Sequence, residues 1–171
     1  MEIYKGTATF SGIAIGKILY YSRGEYQIRQ CLVSNIKKEI SNFQEARIQA
    51  VQKLNELYEA SRLLNEQEAG VFMRQIKLLE SESYQNAIES SIANEKVNAA
   101  YAVMINRDEL VETFRHLEEP VIRRRINDMQ EISNRLIQIL GGAAIRINLG
   151  DEPVILVAEA LSPTEIMEMD K

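Results

Sequence analysis

The distribution of glycine and proline divides this chain into a long middle and two short ends. Between Ser34 and Leu140 there is one glycine, Gly70, and one proline, Pro120, while the other seven glycines and two prolines lie outside that stretch. Because glycine and proline interrupt helices, a stretch so poor in both is typical of successive helices. The two ends carry apolar runs bounded by glycine or proline, which favour strands. The sequence therefore predicts a helical block inserted into one small β-containing unit.

Apolar residues recur at steps of three and four through the middle of the chain, and this spacing predicts five amphipathic helices. Their short connections favour antiparallel neighbours, so we expect helical hairpins or a small bundle. The block is divided into helices by polar capping residues, by a proline in a first turn and by a pair of glycines at the end. The residues expected to begin or end these helices are Ser34, Asn65 with Glu68, the stretch Glu80 to Ser83, Asn98, Pro120 and Gly141-Gly142.

The ends of the chain are predicted to supply the strands. The segment from Gly12 to Tyr20 alternates β-forming residues with glycine, and the five apolar residues Val154 to Ala158 have the length of a buried strand. After the second strand, Ser162-Pro163 is typical of a helix start, with Ser162 as the N-cap. A strand that runs directly into a capped helix is a common place for functional groups in α/β folds.

Composition excludes several classes of protein. With 171 residues, a net charge of −5 and one cysteine, Cys31, the chain lacks the basic surface that nucleic acid requires and cannot form an internal disulfide. No apolar run approaches the roughly 18 residues of a membrane span, and no secretory leader is found. Spacings of metal ligands, a serine–histidine–acid set and a phosphate-binding loop are also absent. We expect a cytoplasmic protein with no nucleic-acid or membrane partner and no cofactor in this chain.

Four segments, in order, resemble the N-terminal part of phosphoenolpyruvate-protein phosphotransferases, the Enzyme I family of the bacterial sugar phosphotransferase system. They cover essentially the whole chain: Gly6-Thr7-Ala8 with Ser11 to Lys17; Phe72 with Leu78-Leu79-Glu80; Arg125 and Asp128 ahead of Arg135-Leu136; and Val154 to Glu159 followed by Leu161-Ser162-Pro163.

The resemblance implies a phosphoryl relay. Enzyme I takes a phosphoryl group from phosphoenolpyruvate onto a histidine and passes it to a histidine of the phosphocarrier protein HPr. In the family that histidine lies in a Gly-Gly-x-x-Ser-His motif beyond the Ser-Pro turn, which these residues do not include. We therefore expect an N-terminal fragment that is inactive alone, whose Ser162 supports the missing histidine. The single histidine, His116, has no match as an acceptor and is expected at a solvated helix end.

The fold implied is mainly α with a small α/β part. Residues 33–140 would form a helical HPr-binding subdomain, inserted into a partial, swivelling α/β subdomain of residues 1–32 and 141–171. Mg²⁺ is expected in the C-terminal domain of the full-length enzyme, and whether that protein forms a homodimer stays open. The residues of this chain that match the HPr-facing surface are Glu66, Gln67, Gly70, Leu78, Glu82, Tyr84, Ile122 and Arg125. In that surface, Leu78 and Ile122 would be an exposed apolar centre and the two glutamates would face basic groups of the carrier.

Departures from the family keep other interpretations open. Glu68 and Lys77 stand where relatives often have a lysine and a methionine, so the partner of a divergent paralogue need not be ordinary HPr. A non-catalytic helical module that binds an HPr-like carrier is the alternative function. A purely structural helical protein is the third interpretation, because apolar stripes and charged helix faces usually serve folding alone.

Overall fold

The structure is a computed structural model that describes residues 12–21, 28–63, 66–114, 116–117, 119–141, 153–159, 161 and 163–169. Within these ranges the chain forms two strands and six helices. Their bounds are β1 Lys17–Tyr21, α1 Ile36–Arg62, α2 Glu66–Leu79, α3 Glu82–Glu95, α4 Ala99–Phe114, α5 Pro120–Gly141, β2 Val154–Ala158 and α6 Pro163–Glu168. The predicted fold class, mainly α with a small α/β part, is confirmed.

Helix α1 is the element around which the other long helices pack, since it contacts α2, α3, α4 and α5. Each of the five long helices buries at least part of the stripe that the sequence spacing predicts, and in α4 Val103 is the one buried member of that stripe. The largest fully buried apolar side chains are Phe43, Leu54, Phe72, Leu79, Ile88, Ile92, Val97, Val103, Ile132 and Leu136. Burial of a side chain of this size contributes about 1.5–3 kcal/mol, so this shared core holds the helical block together.

The helix starts are set by capping groups, two of which differ from the prediction. Asn35, not Ser34, caps α1, and its Oδ1 accepts a hydrogen bond from the Lys38 backbone N at 3.0 Å. Within the stretch Glu80 to Ser83, which was predicted to cap α3, Ser81 is the N-cap. At α4, Asn98 precedes the helix but its Oδ1 accepts from the Cys31 backbone N at 2.9 Å.

The first N–H group of α4 is bound instead by a side chain from α1. Glu39 Oε2 accepts a hydrogen bond from the Ala99 backbone N at 2.9 Å. Because helix N-termini carry unpaired N–H groups and a partial positive charge, a carboxylate is a favourable partner there. Glu39 and Ala99 are 60 residues apart in sequence, so local spacing does not predict this contact.

The two strands pair directly and in parallel, although the whole helical block lies between them in sequence. Lys17 lies opposite Val154 and Tyr21 opposite Ala158, with no shift in register between these ends. Gly16 permits this close approach, because a Cβ there would lie 2.6 Å from the Pro153 carbonyl oxygen. The flanks of the chain therefore form one sheet, with the helices between its strands in sequence, while the exact domain boundaries stay a prediction.

Both strands depart from their predicted form. The first begins at Lys17, since Gly12 to Ile15 have no regular structure and Ile13 and Ile15 are more than nine-tenths exposed. None of the five residues of β2 is buried, and Val157 is 40% exposed. In the described part of the chain β2 has one neighbouring strand, so it is less covered than the buried strand that we expected.

Candidate functional site

Helix α2 carries the first part of the predicted docking surface. Its apolar stripe, Ala69, Phe72, Ile76 and Leu79, faces the core, so the opposite side of the helix faces solvent. Glu66 is exposed at the first position of the helix, and Gly70 lies one turn later. Gln67 lies on the same helix, but its side chain is outside the described part of the structure.

The start of α3 supplies a second exposed carboxylate. Glu82 lies in the first turn of α3, directly after the capping residue Ser81, where the helix dipole favours a negative charge. In the described part of the chain, neither Glu82 nor Glu66 forms an ion pair. Both carboxylates are therefore available to a cationic partner.

Tyr84 does not lie on this surface. Its side chain is 7% exposed and belongs to the hydrophobic core, with its hydroxyl 3.4 Å from Ser133 Oγ. Burial raises the pKa of Tyr84 to about 12, while the Ser133 hydroxyl acts in the opposite direction. The inclusion of Tyr84 among surface residues was wrong, because the α3 stripe that also holds Ile88 and Ile92 turns it inward.

The start of α5 completes the predicted surface. Pro120 begins the helix, Arg125 is exposed, and Ile122 is half-buried. Leu78 at the end of α2 is also half-buried, because it packs against the core. Leu78 and Ile122 were expected to be exposed, but both are less exposed than that prediction required. The structure places Glu66, Gly70, Leu78, Glu82, Ile122 and Arg125 on α2, α3 and α5, and α2 packs against both of the other helices.

The β2–α6 connection lies against the helical block. Ser162 itself is outside the described residues, as are Gly6 to Ser11, the first residues of the opening motif. Leu161, however, lines a groove together with residues of α2, α4 and α5. Helix α6 is joined to the sheet by the Tyr21 hydroxyl, which donates to Glu165 Oε1 at 2.8 Å, and its Met167 packs against the core.

His116 and the acidic side chains form no metal site in the described part of the chain. His116 is exposed in the turn after α4, as predicted for a solvated helix end. No group of three or more histidine, cysteine, aspartate or glutamate side chains there is arranged to hold a metal ion. The described helices also include none that is long and apolar enough to cross a membrane.

The groove beside Leu161 contains functional candidates that the sequence reasoning missed. It has a volume of about 590 Å³ and includes Gln75 from α2, Arg107 from α4 and Arg124 from α5. Two signals in the sequence pointed to it. Gln75 interrupts the apolar stripe between Phe72 and Ile76, and Arg124 is the middle of three consecutive arginines in a chain of net charge −5.

Comparison with known proteins identifies the family. Residues 5–125 match the family described as PEP-utilising enzyme, N-terminal. The chain belongs to this family. The phosphoenolpyruvate-protein phosphotransferase of Haemophilus influenzae is 30% identical to it over 170 residues, which cover 96% of this chain and 29% of that protein. That of Borreliella burgdorferi is 27% identical over 169 residues, with 96% and 30% covered. The chain thus spans about 30% of the length of these relatives.

Two solved structures share the fold. A solution NMR structure of an Enzyme I protein superimposes with a TM-score of 0.75 at 22% identity, over 90% of this chain and 64% of that one. The N-terminal domain of Enzyme 1 - Nitrogen gives a TM-score of 0.71 at 20% identity, over 94% of this chain and 66% of that one. The predicted resemblance to the N-terminal part of Enzyme I is confirmed.

Proposed function

We propose that this member of the family is the carrier-docking N-terminal part of a phosphotransferase. The longer protein would take a phosphoryl group from phosphoenolpyruvate onto a histidine and pass it to HPr or an HPr-like carrier. The observation that carries the proposal is the pair of exposed carboxylates Glu66 and Glu82, which flank α2 in a fold shared with Enzyme I and which form no ion pair with any described residue.

The proposed docking surface has the dimensions of a protein interface. Glu66 and Leu78 are 12 residues apart on one helix, which corresponds to about 18 Å along its axis. A standard interface buries about 800 Å² on each partner, so a carrier would contact more than one of these helices. Half-buried Leu78 and Ile122 would form its apolar centre, and the exposed carboxylates its charged rim.

The arrangement suits a relay in which alignment matters more than covalent chemistry. Phosphoryl transfer depends chiefly on positioning and on stabilisation of charge, so a rigid surface that orients the carrier contributes directly to the rate. The β2–α6 connection, which precedes the phosphorylated histidine in the family, borders the same helices through Leu161. A carrier on α2 and α5 would therefore be held near that end of the sheet.

Titration of the ¹⁵N-labelled chain with unlabelled HPr tests the docking surface. We expect shifts concentrated at the starts of α2, α3 and α5. Glu66→Gln with Glu82→Gln should weaken binding several-fold and reduce its dependence on salt, because two charges facing a basic partner are lost. Glu95→Gln is the matched control, since Glu95 is also exposed but lies at the far end of α3. An equal effect of the control would count against this surface.

A second experiment distinguishes the phosphotransferase from the non-catalytic module. The full-length gene product is incubated with phosphoenolpyruvate, Mg²⁺ and HPr, and phosphorylated HPr is measured by mass spectrometry. The phosphotransferase should phosphorylate HPr, and the two glutamine substitutions should raise KM for HPr more than they lower kcat. Binding of HPr without any transfer would instead support the module.

A further inference from the structure

The groove between α2, α4 and α5 has an unpartnered polar group in its wall. Gln75 is 2% exposed, yet in the described part of the structure its side-chain amide makes no hydrogen bond. A buried amide without a partner destabilises the folded protein, so such groups are rare unless water or a ligand satisfies them. Gln75 is among the residues that line the groove, although only 2% of its surface is exposed.

The wall of the groove contains three arginines, Arg74, Arg107 and Arg124, and three carboxylates, Asp108, Asp128 and Glu131. Asp128 is paired with Arg74, and Asp108 is paired with Arg107, which also donates to Asn134 Oδ1 at 2.9 Å. These two carboxylates are thereby neutralised by neighbouring arginines. Arg124 is exposed, and within the described ranges it has no ion pair or side-chain hydrogen bond. The charges of these six side chains balance, but within the described structure the Arg124 guanidinium and the Gln75 amide have no partner.

A ligand that matches this wall must be rich in acceptors. A guanidinium binds carboxylate and phosphate oxygens through two parallel hydrogen bonds, and an amide N–H adds a third. The volume of about 590 Å³ lies within the range of small-molecule sites and exceeds that of a few ordered waters.

We propose that this groove is a binding site for a small oxyanion, the carboxylate or phosphate group of a metabolite, held by Arg124 and the Gln75 amide. The site is separate from the docking residues Glu66 and Glu82, and it requires neither phosphoryl transfer nor a carrier. A bound anion would link α5 to α2 through these two side chains.

The test follows the side-chain NH₂ signals of Gln75 by NMR in the ¹⁵N-labelled chain. Inorganic phosphate and succinate are titrated separately at ionic strength held constant with sodium chloride, and the signals are assigned by their absence in Gln75→Met. We expect a saturable shift with at least one of the two anions. Saturation by phosphate alone assigns a phosphate ligand, and saturation by succinate alone assigns a carboxylate.

Arginine substitutions supply the matched control. Arg124→Gln should weaken binding by about tenfold, because the charged two-bond contact of the guanidinium is lost. Arg123→Gln makes the same change at the preceding residue, which is exposed but does not line the groove, and should change the affinity less than twofold. Equal weakening by both variants, or an equal shift with sodium chloride alone, would overturn the proposal.

The melting temperature of Gln75→Met provides an independent measurement. Methionine has a similar volume and no polar group, so it should raise Tm by removing the unsatisfied amide. A lower Tm would show that the amide is bound within the protein and would also overturn the assignment.

Discussion

Arg74 Nε on α2 lies 2.9 Å from Asp128 Oδ2 on α5, and this ion pair joins the two helices that carry most of the proposed docking surface. Asp128 is 8% exposed, whereas the Arg74 side chain is 46% exposed. A buried carboxylate is costly unless a cation accompanies it, so the pair favours one packing of α2 against α5. Arg74 Nη1 also donates to the Gly70 carbonyl oxygen at 3.3 Å, which holds the guanidinium in place.

Substitution Arg74→Met should lower the free energy of unfolding by about 1–3 kcal/mol, because Asp128 is then buried without its cation. Arg74→Met combined with Asp128→Asn should cost less than the sum of the two single changes. The measurement is urea denaturation at pH 7. Arg123→Met is the control, since Arg123 is exposed and its side chain has no ion pair in the described structure. A loss no larger than that of the control would show that the pair contributes no stability.

The buried Tyr84 predicts alkaline instability. Its pKa is raised to about 12 in the folded state, while an unfolded tyrosine titrates near its ordinary value of about 10. The stability that Tyr84 contributes is therefore fully present below pH 10 and is lost as pH rises towards 12, by on the order of 2–3 kcal/mol.

Thermal unfolding between pH 9 and pH 12 tests this. Tyr84→Phe should flatten the decline in Tm over that window, and it should cost about 1 kcal/mol at pH 7 through loss of the contact with Ser133. Tyr101→Phe is the control, because Tyr101 is only partly buried. If both variants follow the parent curve, burial of the Tyr84 hydroxyl does not set the alkaline limit.

Local spacing predicted the helices well because most apolar residues of the block recur at steps of three and four, close to the helical period. The positions Phe43, Leu54, Phe72, Ile88 and Leu136 were all expected to face the core, and all are buried. Proline at the first position of α5 was also predictable, since Pro120 fixes the backbone angle that a helix start requires.

Features that depend on distant parts of the chain were not predictable in the same way. Tyr84 occupies a position where sequence alone allows either the surface or the core, and the packing of α3 decides between them. Asn98 was expected to begin α4, but its side-chain oxygen accepts a hydrogen bond from the Cys31 backbone N instead. The docking surface follows from the family resemblance and stays a prediction, whereas the groove arises only when three helices meet.

The Glu39 carboxylate should stabilise the start of α4. Glu39→Ala removes the acceptor for the Ala99 backbone N and should lower the free energy of unfolding by about 1 kcal/mol. Glu39→Gln keeps an acceptor oxygen and should lose less, the difference being the charge at the helix N-terminus. Chemical denaturation measures both variants, and hydrogen exchange at Ala99 and Ala100 should accelerate more in the alanine variant. Equal exchange in the two variants would rule out this capping role.

Substitution of Gly70 should have opposite effects on stability and on HPr binding. A Cβ at this position in α2 meets no atom within 4 Å, and alanine is favoured over glycine inside a helix by about 1 kcal/mol. Gly70→Ala should therefore raise Tm. If HPr packs against the backbone of α2 there, the added methyl group should nevertheless weaken HPr binding. Gly141→Ala is the matched control, because its Cβ also meets no atom within 4 Å but lies at the end of α5. Thermal melts measure the stability of both variants, and titrations measure their affinity for HPr. A Gly70→Ala protein that is more stable but binds HPr with unchanged affinity would exclude close approach of HPr to the α2 backbone at Gly70.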